Sequence, residues 1–354
     1  MKQRIEALQA ALKERDLPGL LVTKAENIRY ISGFTGSSGA CLVTEEQAYF
    51  VTDFRYTEQA ADQVKGMEIV QIERSIPETM GELMAGARVR AVGVEKDEMT
   101  LGAFEAYDQA SAIELVPTTG IIENLRLIKD SSEIKMIKEA VELADATFQH
   151  ILTYIQPGRT ELEVSNELEF FMRKHGATSS SFDTIVASGY RSALPHGVAS
   201  SKVIATGELV TLDFGALLNG YVSDITRTVA VGPINAELQK IYDTVLQAQL
   251  AGVDGLKPGI TGIEADALTR DIIKEAGYGE YFGHSTGHGI GLEVHEGPGL
   301  SFRSETKLEP GMIVTVEPGI YVPQVGGCRI EDDVLITETG REILSSSPKE
   351  LITL

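Results

Sequence analysis

Apolar positions recur along this chain in two rhythms, a helical one and a strict alternation, and their arrangement changes character near residue 127. Ile5, Leu8 and Leu12 mark one face of a first helix that Leu17-Pro18-Gly19 ends, and a short apolar strand follows over 19–23. Over 28–51 β-rich runs flank a Gly/Ser turn, SGFTGSSGA, after which Asp53-Phe54-Arg55-Tyr56 opens toward another helix. No Gly-Lys-Ser/Thr follows the glycines, so this turn is not a phosphate loop. Further alternation at 67–72, 91–94 and 112–116 predicts a mixed α/β domain over residues 1–126, a stretch that holds no histidine.

The second stretch, 127–354, begins with helix punctuation. Asp130-Ser131-Ser132-Glu133 has the spacing of a capping box, and Ile134, Ile137, Val141, Phe148, Ile151 and Ile155 keep helical spacing behind it. A diverged internal repeat follows. Residues 155–177 align without gaps on 256–278, sharing Pro157/Pro258, Gly158/Gly259, Thr160/Thr261, Glu163/Glu264 and Gly176/Gly277. Pro-Gly stops one helix, Thr with Glu three residues on caps the next, and the glycine ends it. VTLDFG at 210–215 then corresponds to VTVEPG at 314–319.

Within the first copy, residues 209–231 read as one β-hairpin about Asn219-Gly220, the dipeptide favoured in two-residue I′ turns. That turn sets Leu218 against Tyr221, Asp213 against Thr226 and Asp224 against Gly215. Asp213 and Asp224 then share a face as diagonal neighbours, about 7–8 Å apart at Cα; a one-residue slip would turn one of them away. Taken alone, the pair also suits a solvated strand face. The repeat supplies opposing acids: Glu317 in VTVEPG matches Asp213, and Glu331 in CRIEDDV matches Asp224 after a loop longer by three residues. Four carboxylates facing one another need cations, since one unpaired buried charge costs several kcal/mol. Two divalent ions would balance them, and oxygen-rich ligation favours Mn²⁺ over a thiolate-seeking ion.

At 354 residues the chain exceeds what one core usually serves, in keeping with two domains. Acidic residues outnumber basic ones by 52 to 31, a net charge of −21 that disfavours a nucleic-acid partner. The first sixteen residues lack the apolar segment of a signal peptide, and no run of about 18 apolar residues offers a membrane span. Two cysteines, Cys41 and Cys328, make no disulfide scaffold and suit a reducing cytoplasm.

Four of the six histidines fall in two short stretches: His196 in SALPHGVAS, and His284, His288 and His295 in GHSTGHGIGLEVHEGP. His284 and His288 have the spacing that serves one zinc on a helix, but Ser285 stands where H-E-x-x-H has its glutamate. Gly283, Gly287, Gly289 and Gly291 make a helix improbable, so the stretch reads as a glycine-bent strand or loop.

HG at 196–197, the Asp213/Asp224 pair eleven residues apart, GHGIGLEVHE, VEPG and RIED, in that order, resemble the metal-dependent peptidases of the pita-bread fold, which include methionine aminopeptidase, aminopeptidase P and prolidase. The likeness covers 127–354, and 1–126 is similar to the creatinase/prolidase N-terminal domain. It implies two divalent ions per subunit, Mn²⁺ ahead of Co²⁺ or Zn²⁺, on Asp213, Asp224, His288, Glu317 and Glu331, with Asp224 and Glu331 bridging. It further implies Glu317 as proton shuttle, His196 and His295 as donors to the carbonyl oxygen, and His284 lining the substrate site.

Such an ion pair would generate a hydroxide able to attack an amide. Arg329, two residues before Glu331, could orient carboxylates, receive a substrate carboxylate, or serve as a structural salt bridge; Tyr221 reads as packing. The short first domain resembles prolidases more than the larger aminopeptidases P. The expected activity is therefore Xaa-Pro dipeptide hydrolysis by a cytoplasmic homodimer. Aminopeptidase P on longer peptides is the alternative, ahead of a creatinase-like hydrolase, a binding protein on this fold or a two-metal phosphoesterase. Cys328 stands where relatives commonly carry a small aliphatic residue. It could bind or oxidise beside the metals, but is expected to be a buried small hydrophobe.

Overall fold

The computed structural model describes residues 1–354 and divides into two compact units, Met1–Arg126 and Leu127–Leu354. In the first, helices α1 (Lys2–Glu14), α2 (Ala25–Ser32), α3 (Thr57–Gln63), α4 (Ile76–Gly86), α5 (Leu101–Ala110) and α6 (Ile121–Arg126) accompany six strands. These are β1 (Gly19–Val22), β2 (Ala40–Thr44), β3 (Ala48–Thr52), β4 (Glu68–Gln71), β5 (Ala91–Glu95) and β6 (Glu114–Thr118), in the order β4-β3-β2-β1-β5-β6. The sheet is mixed, antiparallel from β1 through β3 and parallel elsewhere. Leu21, Leu42, Val51, Met80, Met84 and Val92 fill its core. One expected strand is a helix. Ile28 and Ile31 are one turn apart and buried, and Gly33, left-handed at φ 82°, closes α2 by donating its N–H to Arg29. Helical spacing of two isoleucines outweighed their β propensity.

The second unit carries four long helices: α7 (Ser131–Ile151), α8 (Glu161–Lys174), α9 (Ala236–Gly255) and α10 (Gly262–Glu275). Asp130, Thr160 and Thr261 each form the reciprocal capping box with Glu133, Glu163 and Glu264. Gly176 and Gly277 both follow their helices with positive φ, at 108° and 88°. The repeat thus exists as structure: α7 packs on α8 and α9 on α10, and single bridges tie Thr160 to Val203 and Thr261 to Lys307.

Its strands are β7 (Ser179–Ser180), β8 (Ile185–Ser188), β9 (Glu208–Phe214), β10 (Ala216–Leu218), β11 (Tyr221–Val222), β12 (Ile225–Val231), β13 (Gly287–Gly289), β14 (Glu296–Leu300), β15 (Ile313–Val316), β16 (Gly319–Val322), β17 (Gly326–Arg329), β18 (Asp332–Thr337) and β19 (Gly340–Ile343). Val210, Leu212 and Val229 pack beneath α7 and α8, while Val314, Val316 and Val334 pack with Val253 of α9 and Ala265 of α10.

The first hairpin has the expected register: Leu218 faces Tyr221 and Asp213 faces Thr226, about a turn with Asn219 and Gly220 at φ 52° and 81°. It is not one continuous ladder. β9 and β12 belong to one sheet and β10 and β11 to another, with the break at Gly215. A Cβ there would lie 1.8 Å from the Ser223 carbonyl oxygen, so only glycine permits the crossing. The second hairpin breaks in the same place, between β15/β18 and β16/β17. Val322 faces Gly326 and Val316 faces Asp332, a register that sets Glu317 opposite Glu331. Of the three extra residues, one lies in the turn and two lengthen the return strand.

Candidate metal centre

All the acids singled out in the sequence lie at or beside these two breaks, where the chain leaves one sheet for the next. Asp213 is the penultimate residue of β9, Asp224 precedes β12, Glu317 follows β15 and Glu331 precedes β18. Asp213, Asp224 and Glu331 are buried, and Glu317 is partly so. Strand β13 adds His288. One ligand atom from each of Asp224, His288 and Glu331 falls within a group no wider than 4.8 Å.

Electrostatics shows what such a group requires. Burial first, and then neighbouring carboxylates, push Asp224 and Glu331 well above the usual carboxylate range, and burial raises Glu317 to about 8. Burial also lowers His288 to about 4, so its imidazole is neutral. Nδ1 lies 3.1 Å from the Gly289 carbonyl, which can only accept, so the proton sits on Nδ1. The Nε2 lone pair is left 3.3 Å from Glu317 and 3.7 Å from Asp224. With the carboxyls ionised, acceptors face acceptors there, and Asp213 Oδ1 is buried with no hydrogen-bond donor at all. A divalent cation would satisfy these groups together, and the mixed O and N donors suit a hard to borderline ion.

A second layer fixes the donors. Arg329 pairs with Asp213 and donates to the Thr226 hydroxyl at 3.1 Å, the Tyr321 hydroxyl at 2.7 Å and the Pro195 carbonyl at 3.2 Å. In this structure its guanidinium therefore orients a carboxylate. The Thr226 hydroxyl donates a hydrogen bond to Glu331 at 2.6 Å, and Asp333 accepts the Asp224 backbone N–H at 3.0 Å. Behind them Arg227 donates to the carbonyls of Thr226 and Glu331 and pairs at 2.7 Å with Asp332. Sequence reasoning missed Thr226, Arg227, Tyr321, Asp332 and Asp333. Only the second and third acids of the EDD run gave any local signal.

His284 lies in the same layer. Its Nδ1 is 2.8 Å from the Ser285 carbonyl, which assigns the proton there, so Nε2 accepts from Tyr321 at 2.8 Å. Both nitrogens are thus engaged by the protein. His196 and His295 are exposed, and the His295 ring lies 4.5 Å from that of His288. All nine candidate residues, Asp213, Asp224, His288, Glu317, Glu331, His196, His284, His295 and Arg329, line one cavity of about 640 Å³ with apolar walls from Phe182, Ile185, Val198 and Val294.

Two lesser expectations resolve differently. Tyr221 does more than pack: its hydroxyl donates to Glu133 at 2.9 Å, tying the turn to the capping box of α7. Cys328 is buried in an apolar cluster with Leu209 and Ile320, and burial pushes its thiol up to about 12. Cys328→Ala is therefore expected to leave metal content and turnover unchanged at a cost of about 1 kcal/mol in stability. Elemental analysis and a urea titration check this, and lost metal would contradict it.

The sequence pattern of metallopeptidase family M24 matches residues 135–338, and that of the creatinase/prolidase N-terminal domain matches residues 4–128. The chain belongs to metallopeptidase family M24. It is 41% identical over 355 residues to a Xaa-Pro dipeptidase of Pyrococcus furiosus, covering 99% of this chain and 100% of that one. Its structure superposes on that of a Xaa-Pro dipeptidase from Bacillus anthracis with a TM-score of 0.98, at 58% identity and 99% coverage of both chains. It also superposes on an X-Pro aminopeptidase from Thermotoga maritima with a TM-score of 0.90, at 38% identity over 98% of this chain and 100% of that one.

Proposed function

We propose that this M24 peptidase is a Xaa-Pro dipeptidase that works with two divalent ions, manganese foremost, held by Asp213, Asp224, His288, Glu317 and Glu331. The observation that carries the reading is the close grouping of the unpaired Asp213 Oδ1 and the His288 Nε2 lone pair with the carboxyl groups of Asp224, Glu317 and Glu331. Bound divalent ions supply Lewis acidity and water of lowered pKa.

The chain's own side chains account for the rest. Proline's amide nitrogen carries no proton and cannot leave as an anion, so a proton must be brought to it. Glu317 takes one from the attacking water and delivers it to that nitrogen. His196 and His295, exposed to the cavity, donate to the scissile carbonyl oxygen as charge grows there. His284 supports Tyr321 and Arg329 and, through them, Asp213.

Preference for dipeptides rests on likeness: the Xaa-Pro dipeptidases from Bacillus anthracis and Pyrococcus furiosus share 58% and 41% of positions, the Thermotoga maritima X-Pro aminopeptidase 38%. With manganese-loaded protein, Xaa-Pro dipeptides are expected to be hydrolysed faster than matched Xaa-Pro-Xaa peptides. Much faster cleavage of the longer series would make the enzyme an aminopeptidase P. The same reading makes it a cytoplasmic homodimer, supported by the family resemblance and two unpaired cysteines. No helix is long and apolar enough to cross a membrane.

A further inference from the structure

The segment 188–200 brings His196 to the cavity, yet its larger apolar side chains are open to solvent. Tyr190, Leu194 and Val198 are 57%, 48% and 50% exposed. The Gly327 N–H holds the segment at the Ser192 hydroxyl, 2.8 Å away, and a single bridge joins Val198 to Ile185; its two ends are gathered by one carboxylate outside the cavity. Glu161, the first residue of α8, is fully buried and accepts five hydrogen bonds, all from this segment. Its Oε1 receives the Ser188 backbone N–H at 2.8 Å and the Ser188 hydroxyl at 2.9 Å. Its Oε2 receives Arg191 Nε at 2.9 Å, the Ser200 N–H at 3.1 Å and the Ser200 hydroxyl at 2.6 Å. Arg191 in turn donates to the Val198 carbonyl at 2.6 Å, so the bonds run from both ends of the loop toward its middle. On the far side the Pro195 carbonyl, beside His196, accepts from Arg329.

The internal repeat shows that this carboxylate serves only one half of the unit. Glu161 follows the capping threonine of α8, and Gly262 follows that of α10. A Cβ at Gly262 would lie 2.3 Å from the Gly299 carbonyl oxygen and 2.6 Å from Ser304 Cβ, so the chain itself fills the space there. Both helix starts otherwise dock alike: Glu161 donates its N–H to Lys202, and Gly262 donates to Thr306. Helix docking therefore does not require the carboxylate. The loop that carries His196 does.

We propose that Glu161 is the positioning residue for His196, holding the 188–200 loop so that the imidazole stays aimed into the cavity; its kinetic consequence rests on the Xaa-Pro hydrolase reading. A glutamine at 161 keeps the volume but turns an NH₂ group toward at least two donors, which frees one side of the loop. Misplacement by about 1 Å costs on the order of a hundredfold in rate.

The test uses the full-length, manganese-loaded protein with Glu161→Gln, the milder Ser200→Ala, His196→Ala and each combination with His196→Ala. Glu161→Gln is expected to lower kcat/KM by roughly 10- to 100-fold and Ser200→Ala by less, with metal content unchanged. Both losses should vanish in the His196→Ala background. Trypsin should nick Glu161→Gln after Arg191 faster than wild type. Losses that persist in full without His196, or metal loss on Ser200→Ala, would overturn the proposal. If Glu161→Gln does not fold, the Ser200→Ala cycle decides between these outcomes. If wild-type protein hydrolyses no Xaa-Pro substrate, the hydrolase reading has failed, and nicking decides the loop assignment by itself: unchanged nicking refutes it.

Discussion

Glu331→Gln is expected to reduce Xaa-Pro hydrolysis by on the order of a thousandfold while the protein remains folded. The carboxylate is buried, accepts from Thr226 at 2.6 Å and lies with Asp224 and His288 in the group of potential ligand atoms. Breaking a buried set of compensating charges by removing one member costs about 3–5 kcal/mol. At about 1.4 kcal/mol per factor of ten, that amounts to roughly 10² to 10⁴ in rate or metal affinity. The fold survives because glutamine keeps the volume and the acceptor for Thr226, and because Arg227 grips the backbone carbonyls of Thr226 and Glu331 rather than the lost charge. Kinetics with elemental analysis and near-ultraviolet circular dichroism check this. Turnover within a factor of three of wild type would remove Glu331 from the ligand set.

Stripping the metal is expected to abolish turnover and to make stability fall as pH rises. Burial raises Glu317 from 4.5 to about 8 in the ion-free protein, and Asp224 and Glu331 also move upward. A carboxyl group whose folded pKa is raised binds more protons folded than unfolded between the two values. Stability contributed by its protonated form is therefore present below the unfolded value and lost as pH climbs through the folded one. The window for Glu317 runs from about 4.5 to about 8. Across it the ion-free protein should lose several kcal/mol, at about 1.4 kcal/mol for each step of one in pH. Bound cations take over the role of those protons, so the loaded protein should be nearly flat over the same range. Thermal melts of both forms at pH 5 and pH 8 give the comparison. Equal pH dependence would show that the carboxylates are not facing one another as described.

Local chemistry makes much of the fold and the metal centre legible in the sequence. Asn219-Gly220 sets a parity, and a two-residue turn can only place Asp213 and Asp224 on one face. Threonine followed by glutamate three residues on caps a helix wherever it occurs, which is why the repeat can be read from Thr160 and Thr261. Elsewhere local signals mislead or are absent. Ile28 and Ile31 carry β propensity, and only burial of one helical face decides against it. The second hairpin shifts by two residues because two of its three extra residues fall in the return strand and only one in the turn, and nothing near 322–326 announces that division. Thr226 meets Glu331, and Arg227 meets Asp332, each across 105 positions. Glu161 meets Ser200 across 39. Such partners are chosen by the closed sheet, and no spacing rule connects them. The acids that must sit together to hold cations have a detectable pattern; the groups that aim them do not.

Titrating ion-free protein with Mn²⁺, while following both bound metal and hydrolysis of an Xaa-Pro dipeptide, tests the two-ion centre most directly. Activity is expected to rise from zero and saturate at two ions per chain, with Glu331→Gln failing to reach that stoichiometry. Full hydrolysis by protein that holds no ion would contradict the assignment.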